Sequence, residues 1–214
     1  MKKVLIVGGS GGLGSKVSEL LANTYDVTAV GSKDIDITDI NSCEKFFADK
    51  TYDAVINFAG LNYDSFIHKI NEHNIDKIKS MVDVNILGTV NLTSVALKKM
   101  REQNFGRIIL ISSVLAEKEV VGTSVYSSCK AFIDKFAKNA SAENIKYGIT
   151  VNTLQLGYFD GGMTYKIPEN LLHPIKETIG LKRFGKIEEL SSTISFLIEN
   201  EYVTAANIKI NGGL

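Results

Sequence analysis

Apolar residues follow two rhythms along this chain. Six runs are short and nearly unbroken: "KVLIVGG" from Lys3, "DVTAVGS" from Asp26, "DAVINFAG" from Asp53, "GRIILISS" from Gly106, "ITVNTLQLG" from Ile149 and "NIKINGG" from Asn207. They are rich in Val and Ile and end in small or polar residues. Continuous hydrophobicity of this length predicts strands covered on both faces. Between most of them the spacing changes to threes and fours. Val17, Leu20 and Leu21 line one helical face, and Cys43, Phe46 and Phe47 line another. A long pattern from Ile78 ends in basic residues, with Gly106 as the expected C-cap. Another runs from Tyr126 and closes at Gly148, and a third spans Lys186 to Asn200. Strands alternating with helices predict an α/β fold with a doubly wound parallel sheet in three layers. Pro168 and Pro174 both fall in 158–180, which reads as irregular and as a substrate loop or lid.

A length of 214 residues fits one core, so 1–214 is read as a single domain. Lys plus Arg and Asp plus Glu number 24 each, which gives no electrostatic footprint for nucleic acid. No run approaches the ~18 apolar residues of a membrane span, and glycines cut the first run too short for a secretory h-region. Cys43 and Cys129 have no partner at metal-ligand spacing. Neither a disulfide framework nor a metal site is expected, and a reducing cytoplasm is.

The first run leads into five glycines within Gly8–Gly14. A nucleoside-triphosphate loop needs Lys directly after Gly14, but Ser15 stands there and Lys16 comes one place late. The dinucleotide fingerprint fits instead: Gly9-x-Gly11-x-x-Gly14 after a strand and before a helix. Bare backbone lets a pyrophosphate approach, and the helix N-terminus supplies free N–H groups. A tight turn without ligand is the plainer alternative. Further along, Tyr126 and Lys130 stand four apart at the start of a helical pattern, on one face. An ammonium beside a phenol is expected to lower the phenol's pKa toward the working range. Such a pair also occurs on solvated helix faces.

Taken together and in order, the motifs resemble the short-chain dehydrogenase/reductase family over nearly the whole chain, with its Rossmann-type fold. "VGGSGGLG", ending at Gly14, is similar to the family's glycine motif, and "NFAG", Asn57 to Gly60, to its N-N-A-G. Asn85 stands in "VDVNILGTVNLT". Ser113 ends "GRIILISS", thirteen residues before Tyr126, with Ser112 as the less favoured neighbour. "LGYFDGGM" is similar to the segment beside the nicotinamide. The resemblance implies hydride transfer between a nicotinamide and a carbonyl carbon. Tyr126 would donate the proton, Lys130 would lower its pKa and bind the ribose, and Ser113 would bind the carbonyl oxygen. Asn85 would kink its helix and hold a water. It also implies cofactor contacts at Gly8, Ser10, Gly11, Gly12, Leu13 and Gly14, at Asn57, Ala59 and Gly60, at Gly157, and at Tyr126 and Lys130.

Departures accompany the likeness. Val7, Phe58, Leu156 and Gly161 replace residues usual in the motifs. After the second apolar run the chain passes almost directly to "KDIDITD", so the helix expected before a third strand is missing. Asp36 and Ile37 remain the implied adenine contacts. Ser32 and Lys33 stand where an acidic residue would favour NAD, which favours the 2′-phosphate of NADP(H) over NAD(H). Asp34 and Asp36 nearby could reverse that preference. The resulting expectation is an NADP(H)-dependent carbonyl reductase or alcohol dehydrogenase of 3-oxoacyl reductase type, acting on a small molecule as a homodimer or homotetramer. A keto-sugar or sugar-nucleotide reductase and a non-catalytic dinucleotide-binding scaffold are the alternatives. Tyr158, Met163 and Tyr165 are candidates to line a substrate pocket or to close the loop. His68 and His73 read as solvated positions on a polar helix.

Overall fold

A computed structural model describes the backbone of residues 1–214 and every side chain except those of Met163 and Lys166. Met163, a candidate pocket residue, therefore lies outside the described side chains. The six apolar runs form six parallel strands: β1 (Lys3–Val7), β2 (Asp26–Val30), β3 (Ala54–Asn57), β4 (Gly106–Ser113), β5 (Ile149–Leu156) and β6 (Asn207–Ile210), in the order β2-β1-β3-β4-β5-β6. Two-residue alternation splits β1 between two cores. Val4 and Ile6 face α1 (Gly12–Leu21) and α7 (Ile187–Glu199) through Val17, Leu21, Leu190 and Ile194. Leu5 and Val7 face α2 (Ile40–Phe47), α4 (Thr89–Gln103) and α5 (Ser124–Asn144) through Phe47, Leu92, Val95 and Ile133. Each such side chain contributes about 1.5–3 kcal/mol by leaving water, far more than an exposed ion pair.

The long apolar pattern is one continuous helical run, Ile75–Gln103, built from α3 (Ile75–Val82), a π-helical turn (Asp83–Gly88) and α4. By length and composition it could cross a bilayer, although it has no unbroken apolar stretch. Its apolar face instead packs on the sheet through Leu92, Val95, Ala96 and Met100. Its C-cap is Asn104 in the left-handed region (φ 51°), and the expected Gly106 begins β4. Gly106 is needed there because a side chain would strike Met100. Gly148 (φ 68°) does close the next helical pattern, after a 3-10 turn.

Directly after β2 no helix forms, in line with the gap read from the sequence. Residues 31–39 form turns instead. Asp34 accepts the Gly31 N–H (2.8 Å), Asp36 accepts Thr38 N–H and O–H (2.9 and 2.7 Å), and Asp39 caps α2 through Asn41 N–H. This leaves β2 as the sheet edge. The segment 158–180 is more ordered than its prolines imply. It contains a 3-10 turn (Gly162–Lys166) and α6 (Glu169–Thr178), which starts after Pro168 and tolerates Pro174. His68 lies in a short 3-10 turn (Ile67–Lys69) rather than a longer helix, and His73 lies in an exposed turn.

Candidate active site

The strand order reverses at β1, which has β2 on one side and β3 on the other, and such a switch point opens a crevice at the strands' C-terminal ends. The glycine turn occupies it. Gly8 adopts φ 80°, and a Cβ there would stand 2.7 Å from the Ala59 nitrogen, so the turns after β1 and β3 touch backbone to backbone. A Cβ on Gly14 would strike the Gly8 carbonyl. Gly11 is the N-cap of α1 and offers no side-chain cap, and the first turn has no acidic residue. The leading N–H groups of α1 are thereby left for an anionic ligand, and Ser10, Gly11 and Gly12 are exposed at the rim. The donor set fits the pyrophosphate of a dinucleotide.

A second segment crosses this rim. The Gly162 Cα lies 2.5 Å from where a Cβ on Gly12 would be, and Gly162 also rests on Leu13. Lys16, one place late for a nucleoside-triphosphate loop, reaches from α1 to the Tyr165 hydroxyl (3.2 Å) and the Asp160 carbonyl (3.5 Å). Tyr165 thus packs on Lys16 while Tyr158 packs on Phe184 (6.2 Å between centroids), an arrangement suited to closing the loop. Gly157 donates to the Ile210 carbonyl (3.0 Å) and lies against Asn211, which fixes the end of β5 to β6.

At the adenosine end, Ser32, Lys33 and Asp36 are exposed. The Ile37 side chain is buried and meets Gly88, and its carbonyl accepts from Asn91 Nδ2 (3.0 Å). Asn57 is buried, accepting the Ala59 N–H (3.0 Å) and donating to Thr89 Oγ1 (3.2 Å). A Cβ on Gly60 would lie 2.9 Å from Asn85 Oδ1 and 3.6 Å from Lys130 Nζ.

Asn85 is fully buried in the π-helical turn. Both ends of its amide go to Leu61: Nδ2 donates to the carbonyl (2.7 Å) and Oδ1 accepts the N–H (3.1 Å). Asn85 therefore ties the segment after β3 to the helix, and its own carbonyl takes the Thr89 hydroxyl (2.8 Å). Ser112 and Ser113 separate clearly. The Ser112 hydroxyl donates to the Lys130 carbonyl (3.2 Å), facing α5, whereas Ser113 neighbours the Tyr126 phenol and also caps a 3-10 turn through Leu115 N–H (3.2 Å).

Tyr126 and Lys130 are 8% and 5% exposed, so the solvated-face alternative does not hold. Lys130 Nζ donates to the Ile111 carbonyl (2.9 Å) and sits 5.6 Å from the Tyr126 ring centre. Their protonation differs from expectation. Burial pushes the Tyr126 phenol up to about 12, only partly offset by Ser113, and Lys130 is not among the groups acting on it. Burial likewise pulls the Lys130 amine down to about 8. Desolvation favours the neutral form of both groups and outweighs the spacing rule. The roles of the Ile111 carbonyl, the Gly12–Gly162 contact and the Lys16–Tyr165 contact are not legible in the residue pattern, because each joins separate segments of the chain.

The protein-family model described as Enoyl-(Acyl carrier protein) reductase matches residues 3–214. The chain is 30% identical over 238 residues to carbonyl reductase family member 4 of Xenopus tropicalis, covering 100% of this chain and 98% of that protein. It is 32% identical over 218 residues to the 3-oxoacyl-[acyl-carrier-protein] reductase FabG of Aquifex aeolicus, covering 99% and 86%. A solved structure titled "ElxO with NADP Bound" has the same fold, with a TM-score of 0.86 at 22% identity and coverage of 100% and 98%.

Proposed function

The chain belongs to the short-chain dehydrogenase/reductase family and is an NAD(P)-dependent oxidoreductase, and from that premise we propose that it reduces a small 3-oxoacyl-type carbonyl with NADPH, using Tyr126 as proton donor. The observation that carries the reading is the buried set Asn85, Ser113, Tyr126 and Lys130 beside an uncapped helix start. Bound NADPH supplies the hydride. The chain's own residues handle the charge that follows. Tyr126, protonated at neutral pH, gives its phenolic proton to the carbonyl oxygen. Ser113, beside that phenol, donates a hydrogen bond to the same oxygen as negative charge grows. Lys130 is charged below about pH 8 and supplies a cation there. Asn85 holds Leu61, and with it Gly60, against the lysine. The test is reduction of a ketone panel with NADPH by wild type and Tyr126→Phe. A loss of roughly a hundredfold or more is expected for removing the acid, and rates indifferent to the change would remove its role. Binding without turnover on any substrate would favour the scaffold reading.

NADP(H) is favoured because Asp34 and Asp36 are engaged with Gly31 and Thr38, which leaves exposed Ser32 and Lys33 for the 2′-phosphate. Lys33→Ala should weaken NADPH binding roughly tenfold and leave NADH unchanged, as for one charge-assisted contact. No difference between the cofactors defeats this assignment. Assembly as a homodimer fits the outer face of α4 and α5, where Phe132 and Phe136 stack (5.7 Å) at partly exposed positions near Leu97. Light scattering that returns a monomer refutes it. A cytoplasmic location is part of the same proposal, since both cysteines are buried and unpaired.

A further inference from the structure

Helix α5 carries a third functional group below the Tyr126–Lys130 pair. Tyr126, Lys130 and Asp134 follow at intervals of four, which places them on one stripe of the helix. Asp134 is 6% exposed, and a buried carboxylate ordinarily has an ion-pair partner. Among the described residues no cation pairs with it directly. Its Oδ2 accepts from Gln155 Nε2 (2.7 Å), and its Oδ1 has no hydrogen-bond partner. Gln155 is fully buried on β5, where it lies opposite Ser112 in the sheet, next to the residue that places Ser113. The same Nε2 reaches Glu117 Oε1 (3.0 Å), and Glu117 in turn pairs with Lys209 of β6 at the surface. The surface cation is thus matched by Glu117, and Lys130 is the buried cation on Asp134's own stripe.

We infer that Asp134 is a positioning residue for this site: its carboxylate, fixed by Gln155, supports the buried Lys130 ammonium from the turn below. This rests on the reductase reading given above. Its charge opposes the desolvation that lowers the Lys130 pKa. The other titratable groups nearby are Tyr126 and Cys129 on α5, Glu117 from the turn after β4, Lys209 on β6 and Lys138 further along α5, while Asp64 faces Tyr126.

The test replaces Asp134 by Asn, which keeps the shape and a hydrogen-bond acceptor for Gln155 but removes the charge. The Lys130 ammonium is titrated in the ligand-free protein by carbon NMR of its ε-methylene, assigned with Lys130→Met. Asp134→Asn should lower the midpoint by about one unit, as expected for an opposite charge one helical turn away. Asp134→Glu should hold it near the wild-type value. In parallel, the alkaline limb of NADPH-dependent reduction should move down by the same amount, so that the activity at pH 8 relative to pH 6.5 falls several-fold. An unmoved midpoint in a folded Asp134→Asn protein overturns the inference, as does a drop shared by Asp134→Glu. If Asp134→Asn does not fold, a wild-type midpoint in Asp134→Glu supports the inference, and a midpoint lowered like a lost charge overturns it. The reductase reading fails separately, through activity indifferent to Tyr126→Phe.

Discussion

Replacing Lys130 by Met should stabilise the protein at neutral pH while removing its activity. The amine is 5% exposed and its pKa falls from 10.5 to about 8 on folding. At 1.36 kcal/mol per pH unit that gap corresponds to roughly 3 kcal/mol by which the charged amine destabilises the fold well below pH 8. Met removes this term, and it also removes the bond to the Ile111 carbonyl, which contributes about 1.5–3 kcal/mol in the other direction. The net gain at pH 6.5 is then up to about 1.5 kcal/mol. Its sign follows from proton counting. Between pH 8 and 10.5 the unfolded chain binds more protons at this site than the folded one, so wild-type stability rises with pH. The advantage of Lys130→Met must shrink across that window, by roughly 2 kcal/mol between pH 7 and 9.5, and reverse. Urea unfolding followed by far-ultraviolet circular dichroism, at half-unit steps from pH 6.5 to 9.5, measures the difference directly. A difference that stays flat with pH would show that the amine is not desolvated, and the reasoning about the pair would fail with it.

Other consequences are more local. Gly14→Ala should abolish NADPH binding and cost about 2 kcal/mol or more, because the new methyl meets the Gly8 carbonyl; fluorescence titration and thermal melts check both. Asn85→Leu should cost about 2–4 kcal/mol in urea unfolding, since it leaves the Leu61 N–H and carbonyl unpaired beside the site. Neither cysteine of the folded protein should react with a thiol reagent at pH 8: burial raises Cys43 to about 11 and also raises Cys129. Arg183→Met should destabilise the protein only slightly, because its pair with Glu189 is about two-fifths exposed and screened by solvent. Arg183 holds Glu189 down to about 2, so the effect should be present above pH 4.5 and fade as pH falls toward 2.

The strands were legible because burial on both faces leaves an unbroken Val and Ile signature, and all six runs paired in parallel. The glycine turn and the Tyr126–Lys130 spacing were legible because local geometry dictates them. What escaped depended on contacts between distant segments. Gly106 looked like a helix cap, yet its lack of a side chain serves Met100, while Asn104 takes the left-handed residue's place. Pro174 suggested irregular chain but sits within α6. After β2 the residue pattern showed that a helix is missing, but not that the aspartates of "KDIDITD" satisfy backbone and hydroxyl donors in successive turns. The protonation of the pair is hidden from the sequence for the same reason. Spacing gives the Lys130 charge, but only the fold gives the burial that outweighs it.

That reversal assigns the pH dependence of the proposed reaction to one direction. Carbonyl reduction consumes a proton, so the overall equilibrium moves about tenfold per pH unit whatever the enzyme does. The forward and reverse rates must share that factor, and the protonation state of Tyr126 decides how. With a pKa of about 12 the phenol is protonated throughout the neutral range, and at pH 7 only about one molecule in 100,000 holds the phenolate. Reduction needs the protonated form and should be flat between pH 6 and 7.5, below the Lys130 midpoint. Alcohol oxidation needs the phenolate and should rise nearly tenfold per unit over the same range. A phenol drawn down to about 7 by its lysine, as spacing alone implies, would make reduction fall and oxidation level off above that pH. Initial rates in both directions at saturating nucleotide distinguish the two cases. Oxidation that stays level while reduction declines would mean that Lys130, not burial, governs the tyrosine.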